Sequence, residues 1–158
     1  LLDVLIVASG FLLRALGGGL IIGVYISTWF ILCSFTLALF LAVTKRRQEL
    51  KGQGAATSRS ILAEYSVPFL DQTISILTSA TLVCYVLYAM GVGEEMQASR
   101  QMQWTIPFVL YGILRYLYLV YQEGEGDNPT TVVWTDRPLQ VTLLLWIVAS
   151  LGGLYGLP

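Results

Sequence analysis

Two long stretches without a single charged side chain, Leu20 to Val43 and Gln72 to Val92, constrain this chain more than any other feature. Surface helices of a soluble domain carry charge on their outer face. Segments this long and this empty of charge read as membrane spans. Between them falls a dense block of charge, Thr44-Lys45-Arg46-Arg47-Gln48-Glu49-Leu50-Lys51. It reads as the start of a loop that joins two spans on one face of the bilayer, a natural place to hold a phosphorylated substrate.

Composition supports the membrane class. Only 12% of the 158 residues are charged and 56% are hydrophobic, against about 25% charged in ordinary soluble domains. The net charge of -1 conceals an asymmetry: five of the nine basic residues, Lys45, Arg46, Arg47, Lys51 and Arg59, lie in one stretch. Acidic residues gather instead at Glu94, Glu95, Glu123, Glu125 and Asp127. Positively charged loops stay in the cytoplasm. The chain opens on Leu1 inside an apolar run, without an initiator Met or a signal-peptide pattern, which reads as a start within a longer protein. With no His in the chain, Cys33 and Cys84 have no metal-binding spacing and read as packed thiols inside spans.

A span needs about 20 residues. Five segments qualify: about 3–22, 29–43, 67–90, 104–121 and 139–157, giving an all-α, polytopic transmembrane bundle in a single membrane domain over 1–158. Counting crossings from the basic stretch puts the long connections, 44–66 and 122–138, on the cytoplasmic side. Ser66 is placed to cap the third helix with Pro68 in its first turn, and Asp136 to cap the fifth with Pro138 following. Pro107 falls early in the fourth span, where its missing N–H costs little. Gly17-Gly18-Gly19 in the first span predicts either close approach of a neighbouring backbone or a helix break beside a cavity. Trp104, Trp134 and Tyr155 lie near segment ends, as interfacial aromatics do.

Several charged residues stand where chemistry is possible. Arg14 lies mid-span, where a charge costs about 2.5–3.5 kcal/mol on insertion scales. It predicts a wet or protein-lined cavity with a partner anion, an ion pair with Asp3 or Asp71, or snorkelling to an interface. Lys45 and Glu49 are spaced i, i+4, so one helical turn would present both to the same side. A cation beside a carboxylate suits phosphate with a divalent ion, and equally suits a plain topogenic segment. Arg115 sits near the cytoplasmic end of the fourth span, where it would meet a phosphate or snorkel to headgroups. Asp71 faces the same side or serves its own helix start. Asp136 would bind a metal or hydroxyl, although capping is the more economical role. No Gly-rich nucleotide loop, Ser/His/Asp set or basic-aromatic nucleic-acid surface is visible, so nucleic acid is not an expected partner.

Taken in order, Leu13-Arg14-Ala15-Leu16-Gly17-Gly18, Lys45-Arg46-Arg47-Gln48-Glu49-Leu50, Tyr65-Ser66, Ile106-Pro107-Phe108 with Leu114-Arg115-Tyr116, and Asp136-Arg137 before a Trp-containing apolar helix resemble the second half of the decaprenyl-phosphate phosphoribosyltransferase branch of the UbiA-type intramembrane prenyltransferases. The resemblance implies an all-helical bundle of about nine spans, with two polar motifs facing one cavity. The first, Asp-rich motif is not in this sequence, which implies that most of the Mg²⁺ ligands lie elsewhere and that this portion alone is inactive. Relatives acting on quinones and haem carry a second D-x-x-x-D motif in the stretch matching 45–64. Here only Glu49 and Glu64 are acidic there, which favours the phosphoribosyl branch.

What the resemblance implies is Mg²⁺-dependent transfer of a 5-phosphoribosyl group from phosphoribosyl diphosphate to a polyprenyl phosphate in the plasma membrane, supplying arabinose for cell-wall polysaccharide. Lys45 and Arg46 would bind phosphate, and Glu49 would meet Mg²⁺ or ribose. Arg14 and Arg115 would neutralise phosphates within the cavity, with Asp136 and Arg137 contributing from the neighbouring connection. Two other readings compete: prenyl transfer to an aromatic acceptor, and a transporter or structural membrane subunit in which Arg14 is a substrate or gating charge.

Overall fold

The computed structural model describes residues 2–23, 26–52, 65–92, 100–123 and 129–155. The described chain is helical: α1 (Leu2–Ile22), α2 (Thr28–Gly52), α3 (Val67–Ala89), a 3-10 turn (Arg100–Thr105), α4 (Ile106–Tyr118) continued by a π turn (Leu119–Glu123), α5 (Pro129–Thr135) and α6 (Arg137–Tyr155). Four helical stretches, Leu2–Ile22, Thr28–Lys51, Val67–Ala89 and Met102–Gln122, are long and apolar enough to cross a membrane. Arg137–Gly153 is a shorter apolar helix.

Local chemistry fixes the ends. Ser27 Oγ accepts from the Phe30 N–H (3.4 Å) at the start of α2, and Ser66 Oγ accepts from the Phe69 N–H (3.4 Å) at the start of α3. The α3 cap is the one the sequence predicts. α3 ends in a Schellman motif: Val92 N–H donates to Leu87 C=O and Gly91 N–H to Tyr88 C=O, with Gly91 at φ +65°. Glycine takes that left-handed position without a Cβ penalty. Within α3, the hydroxyls of Thr73, Ser75, Thr78, Ser79 and Thr81 each donate to the carbonyl four residues back. Polar side chains are thereby satisfied inside an apolar span.

The core gathers at one end of the bundle. Val4 of α1, Phe40 and Val43 of α2, Leu70 and Ile74 of α3, Tyr116, Leu119 and Val120 of α4 and its π turn, Val132 of α5 and Leu139 of α6 form one buried cluster. Phe40 meets Tyr116 edge-on at 5.6 Å between ring centroids. A second anchor sits towards the middle of α6. There Trp146 Nε1 donates to Tyr85 Oη (2.7 Å), and that hydroxyl shares a hydrogen bond with Thr105 Oγ1 (2.7 Å). α1 and α6 turn broad apolar faces outward, with Leu2, Ile6, Phe11, Leu144 and Val148 all exposed.

Three expectations change. The block 44–51 is not a loop: α2 runs straight through it to Gly52, because Lys, Arg, Gln, Glu and Leu are all good helix formers. The stretch 122–138 likewise holds a helix of its own, α5. Gly17 and Gly18 neither break α1 nor admit a close neighbour among the described residues, since nothing lies within 4 Å of a Cβ at either. The thiols fare as predicted: Cys33 and Cys84 are free and half-buried, and Cys33 Sγ donates to Thr81 C=O at 3.8 Å. Trp104 and Trp134 are exposed at their segment ends. Arg59 and Glu64, with the acidic positions 94, 95, 125 and 127, lie outside the described residues.

Candidate functional site

The continuation of α2 beyond Val43 decides how the basic block is displayed. At about 100° per residue, Thr44, Arg47 and Gln48 fall on one face, and all three are buried. Lys45, Arg46 and Glu49 fall on the opposite side. Lys45 is exposed and makes no ion pair with a described residue, while Arg46 and Glu49 keep side-chain exposures of 29% and 26%. The cations expected to meet substrate, Lys45 and Arg46, therefore face outward, and Arg47 faces in.

Three arginines at this end of the bundle, Arg46, Arg47 and Arg115, each have a carboxylate. Arg46 Nε donates to Asp3 Oδ2 (3.0 Å) and its Nη1 to Glu49 Oε2 (2.7 Å). Tyr65 Oη donates to the other Asp3 oxygen at 2.9 Å. Glu49 thus pairs with Arg46 rather than with Lys45, the i, i+4 neighbour that spacing suggested. Arg47, with a side chain only 3% exposed, pairs through Nε with Asp71 and lies 4.0 Å from the centroid of the Tyr121 ring. Tyr121 Oη donates to the same Asp71 oxygen at 2.9 Å. Gln48 Nε2 donates to the Val120 carbonyl at 3.2 Å. These contacts bring the end of α2, the starts of α1 and α3, and the π turn after α4 together.

Arg115 and Asp136 form the third pair. Nη2 and Nε of Arg115 reach the two Asp136 oxygens at 2.6 and 3.3 Å. Asp136 Oδ1 also accepts from the Leu139 N–H at 2.8 Å, so it caps α6 as predicted. The Arg115 guanidinium beside it, helped by that N–H, holds the carboxyl below its usual range. Arg137, the first residue of α6, is exposed and makes no ion pair with a described residue.

Arg14 does not join them. At about 1.5 Å per residue it lies about 16 Å deeper along α1 than Asp3. It is exposed and lies 5.7 Å from the centroid of the Phe11 ring. Neither aspartate named as its partner is available: Asp3 holds Arg46 and Asp71 holds Arg47.

The structure thus assembles Arg46, Glu49, Arg115 and Asp136 at one end of the bundle, presents Lys45 and Arg137 outward there, and sets Arg14 apart. Sequence reasoning left Arg47, Asp3 and Tyr121 out of the site. The helical phase of the 44–51 block would have separated Arg47 from its neighbours. Nothing local marks Asp3 or Tyr121. Beside this end, an open groove of about 430 Å³ runs between α3 and α4, lined by Ile74, Ser75, Thr78, Leu114, Leu117, Tyr118, Tyr121 and Gln122. None of the residues predicted from sequence lines it.

Mg²⁺ fits this set poorly. Among the described residues, no three acidic or cysteine side chains come together as a cation site, and Glu49 is engaged by Arg46. The described residues do not make a magnesium site by themselves.

No protein-family model matches the chain. It is 32% identical over 163 residues to a decaprenyl-phosphate phosphoribosyltransferase of Corynebacterium glutamicum, a match covering 99% of this chain and 48% of the relative. The enzymes of the same name from Mycolicibacterium smegmatis and Mycobacterium tuberculosis are 33% and 32% identical over 156 and 148 residues, each match covering 92% of this chain and 48% of the relative. The chain spans about half the length of the curated relatives it matches. It is an integral membrane protein by its apolar helices and, along almost all of its own length, a homologue of the decaprenyl-phosphate phosphoribosyltransferases.

Proposed function

We propose that this chain forms part of a membrane transferase that moves a 5-phosphoribosyl group from phosphoribosyl diphosphate to a polyprenyl phosphate, with decaprenyl phosphate as the acceptor that the relatives' name suggests. The similarity to three enzymes of that name over 92–99% of the chain carries this reading. The display of Lys45 and Arg46 at the end of a membrane helix supports it.

The chemistry suits such a site. The bond from the ribose anomeric carbon to diphosphate breaks, and a lipid phosphate oxygen takes its place. Negative charge grows on the departing diphosphate, and fixed cations held beside apolar helices stabilise it more strongly than water does. Lys45, exposed and unpaired among the described residues, is first to meet a phosphate. Arg46 is shared between Asp3 and Glu49 and has to exchange one carboxylate for phosphate. Arg115 and Arg137 flank the same end. Mg²⁺ belongs to the proposal through the resemblance, with Glu49 as a contributor and the remaining ligands outside the described residues. The roles given to the side chains here do not depend on it.

By the positive-inside rule, the basic end of α2 faces the cytoplasm, and the resemblance to the decaprenyl-phosphate enzymes implies the plasma membrane. The soluble diphosphate donor then arrives from the cell interior while the lipid acceptor stays in the bilayer.

The test is a donor comparison with the full-length protein in lipid. Radiolabelled phosphoribosyl diphosphate should transfer label to polyprenyl phosphate, and a prenyl diphosphate with an aromatic acceptor should not react. Lys45→Ala and Glu49→Gln should each abolish transfer while the protein remains folded. Wild-type turnover in either variant would remove that residue from the site, and prenyl transfer by the wild type would replace the reading.

A further inference from the structure

We propose that Arg47 is the positioning residue of this site. By gripping Asp71 and Tyr121 it fixes the rotation of the last two turns of α2, and so aims Lys45, Arg46 and Glu49 at the diphosphate. The inference rests on the phosphoribosyl-transfer reading for what is aimed at, but not for the aiming itself.

The local geometry leads there directly. The end of α2, from Thr44 to Gly52, extends past the apolar segment. A projecting helix end frays unless something holds it. Its outward residues give one tie to a neighbouring helix, from Arg46 to Asp3 of α1 at 3.0 Å; Lys45 is unpaired among the described residues, and the Arg46–Glu49 pair lies within α2 itself. The inward face supplies the ties to α3 and to the π turn. Arg47 meets α3 at Asp71 and the π turn at Tyr121, while Gln48 meets the π turn at the Val120 carbonyl. Tyr121 closes the triangle by donating to Asp71. A rotation of the α2 end about its axis would break all of these together and would swing Lys45 and Glu49 with it.

The pairing is poorly explained as a device for stability. Arg47 Nη1 is buried and has no hydrogen-bond partner among the described residues. Its partner Asp71 keeps a side-chain exposure of 36%, and an ion pair with one solvent-facing member adds little to a fold. An arginine retained there with an unspent donor serves orientation better than cohesion. Its planar guanidinium does what an ammonium cannot, since it covers an aromatic ring with its face while its edge engages a carboxylate.

The experiment uses the full-length protein in lipid nanodiscs with three variants: Arg47→Met/Asp71→Leu together, Arg47→Lys, and Arg47→Gln. Donor KM should rise on the order of tenfold to a hundredfold in all three, with the KM for polyprenyl phosphate within about twofold and the melting temperature of the double variant near wild type. Arg47→Lys should fail to rescue. In a parallel set, a nitroxide at Lys45→Cys, with Cys33 and Cys84 replaced by Ala, should be held in the parent and mobile in Arg47→Gln.

Unchanged donor KM together with an unchanged nitroxide spectrum overturns the proposal. So does a fall in kcat with both KM values and the label's motion unaltered, because Arg47 would then act on the reaction rather than on the helix. Should the double variant fail to fold, Arg47→Gln and the spectrum decide. If the wild type transfers no phosphoribosyl group, the functional reading fails, and label mobility alone still tells whether Arg47 orients the helix end.

Discussion

Arg115 and Asp136 lock the end of α4 to the start of α6 through one carboxylate that serves two purposes. Its two oxygens take the guanidinium at 2.6 and 3.3 Å, and one of them also takes the Leu139 N–H at 2.8 Å. Ion pair and helix cap are therefore coupled at a side chain only 8% exposed. The two functions separate by mutation. Asp136→Ala removes the cap and leaves Arg115 without this carboxylate, which should cost about 2–3 kcal/mol. Arg115→Met keeps the cap and should cost about 1 kcal/mol. Thermal unfolding of the full-length protein in one detergent measures both, and equal losses would show that the cap contributes nothing.

The same pair sets a pH dependence whose sign follows from the depressed Asp136 carboxyl. A carboxyl that binds its proton less readily when folded adds stability above its unfolded value of about 3.9, and loses it as pH falls through the lower folded value. The melting temperature should therefore carry this pair's full contribution, without pH dependence, between about pH 5 and 7, and should fall below about pH 4. In Asp136→Asn that acid decline should be shallower than in the wild type. Parallel acid limbs in the two proteins would show that Asp136 titrates as freely folded as unfolded.

Much of this architecture was legible in the chain. Uncharged runs bracket α2 and α3, Ser66 and Asp136 announce their helices, and Met90-Gly91 marks the close of α3. What could not be read is the phase of the basic block. Its residues alternate between buried and open because α2 continues past the apolar segment, and hydropathy alone places the boundary at Val43. The partners of its arginines were equally hidden. Asp3 and Asp71 lie 43 and 24 residues away in sequence from Arg46 and Arg47, at helix starts where an acidic residue ordinarily needs no explanation. Sequence grouped Arg14 with the other cations by type, whereas helix rise separates it from them.

The hydroxyl of Tyr85 joins three elements, accepting from Trp146 Nε1 and sharing a hydrogen bond with Thr105. Tyr85→Phe strands the Trp146 N–H and removes one of two bonds from Thr105, whose hydroxyl still donates to the Met102 carbonyl at 2.6 Å. Hydrogen bonds between membrane helices contribute about 0.6 kcal/mol each and at most about 1.7, so the loss should be about 1–2 kcal/mol. Unfolding in mixed micelles reads this directly. Trp146→Phe should lose about half as much, because the Tyr85–Thr105 bond survives. A larger loss in the tryptophan variant would show that ring packing, and not the hydrogen bond, holds α6 to α3.

Arg14 gives the sharpest separation between insertion and function. It stands among Phe11, Leu13 and Leu20, all exposed, with the Phe11 ring beside it. Replacing it with Leu should make insertion of α1 into a bilayer more favourable by about 2.5–3.5 kcal/mol, the cost of a mid-span arginine. A glycosylation-mapping assay of α1 fused to a reporter measures that gain. If the chain retains Arg14 for a phosphate, Arg14→Leu in the full-length protein should raise the KM of a phosphorylated substrate while the protein inserts at least as well as before. If instead insertion improves and both KM values stay at the wild-type level, Arg14 is no ligand for phosphate, and the basic end of α2 carries substrate binding without it.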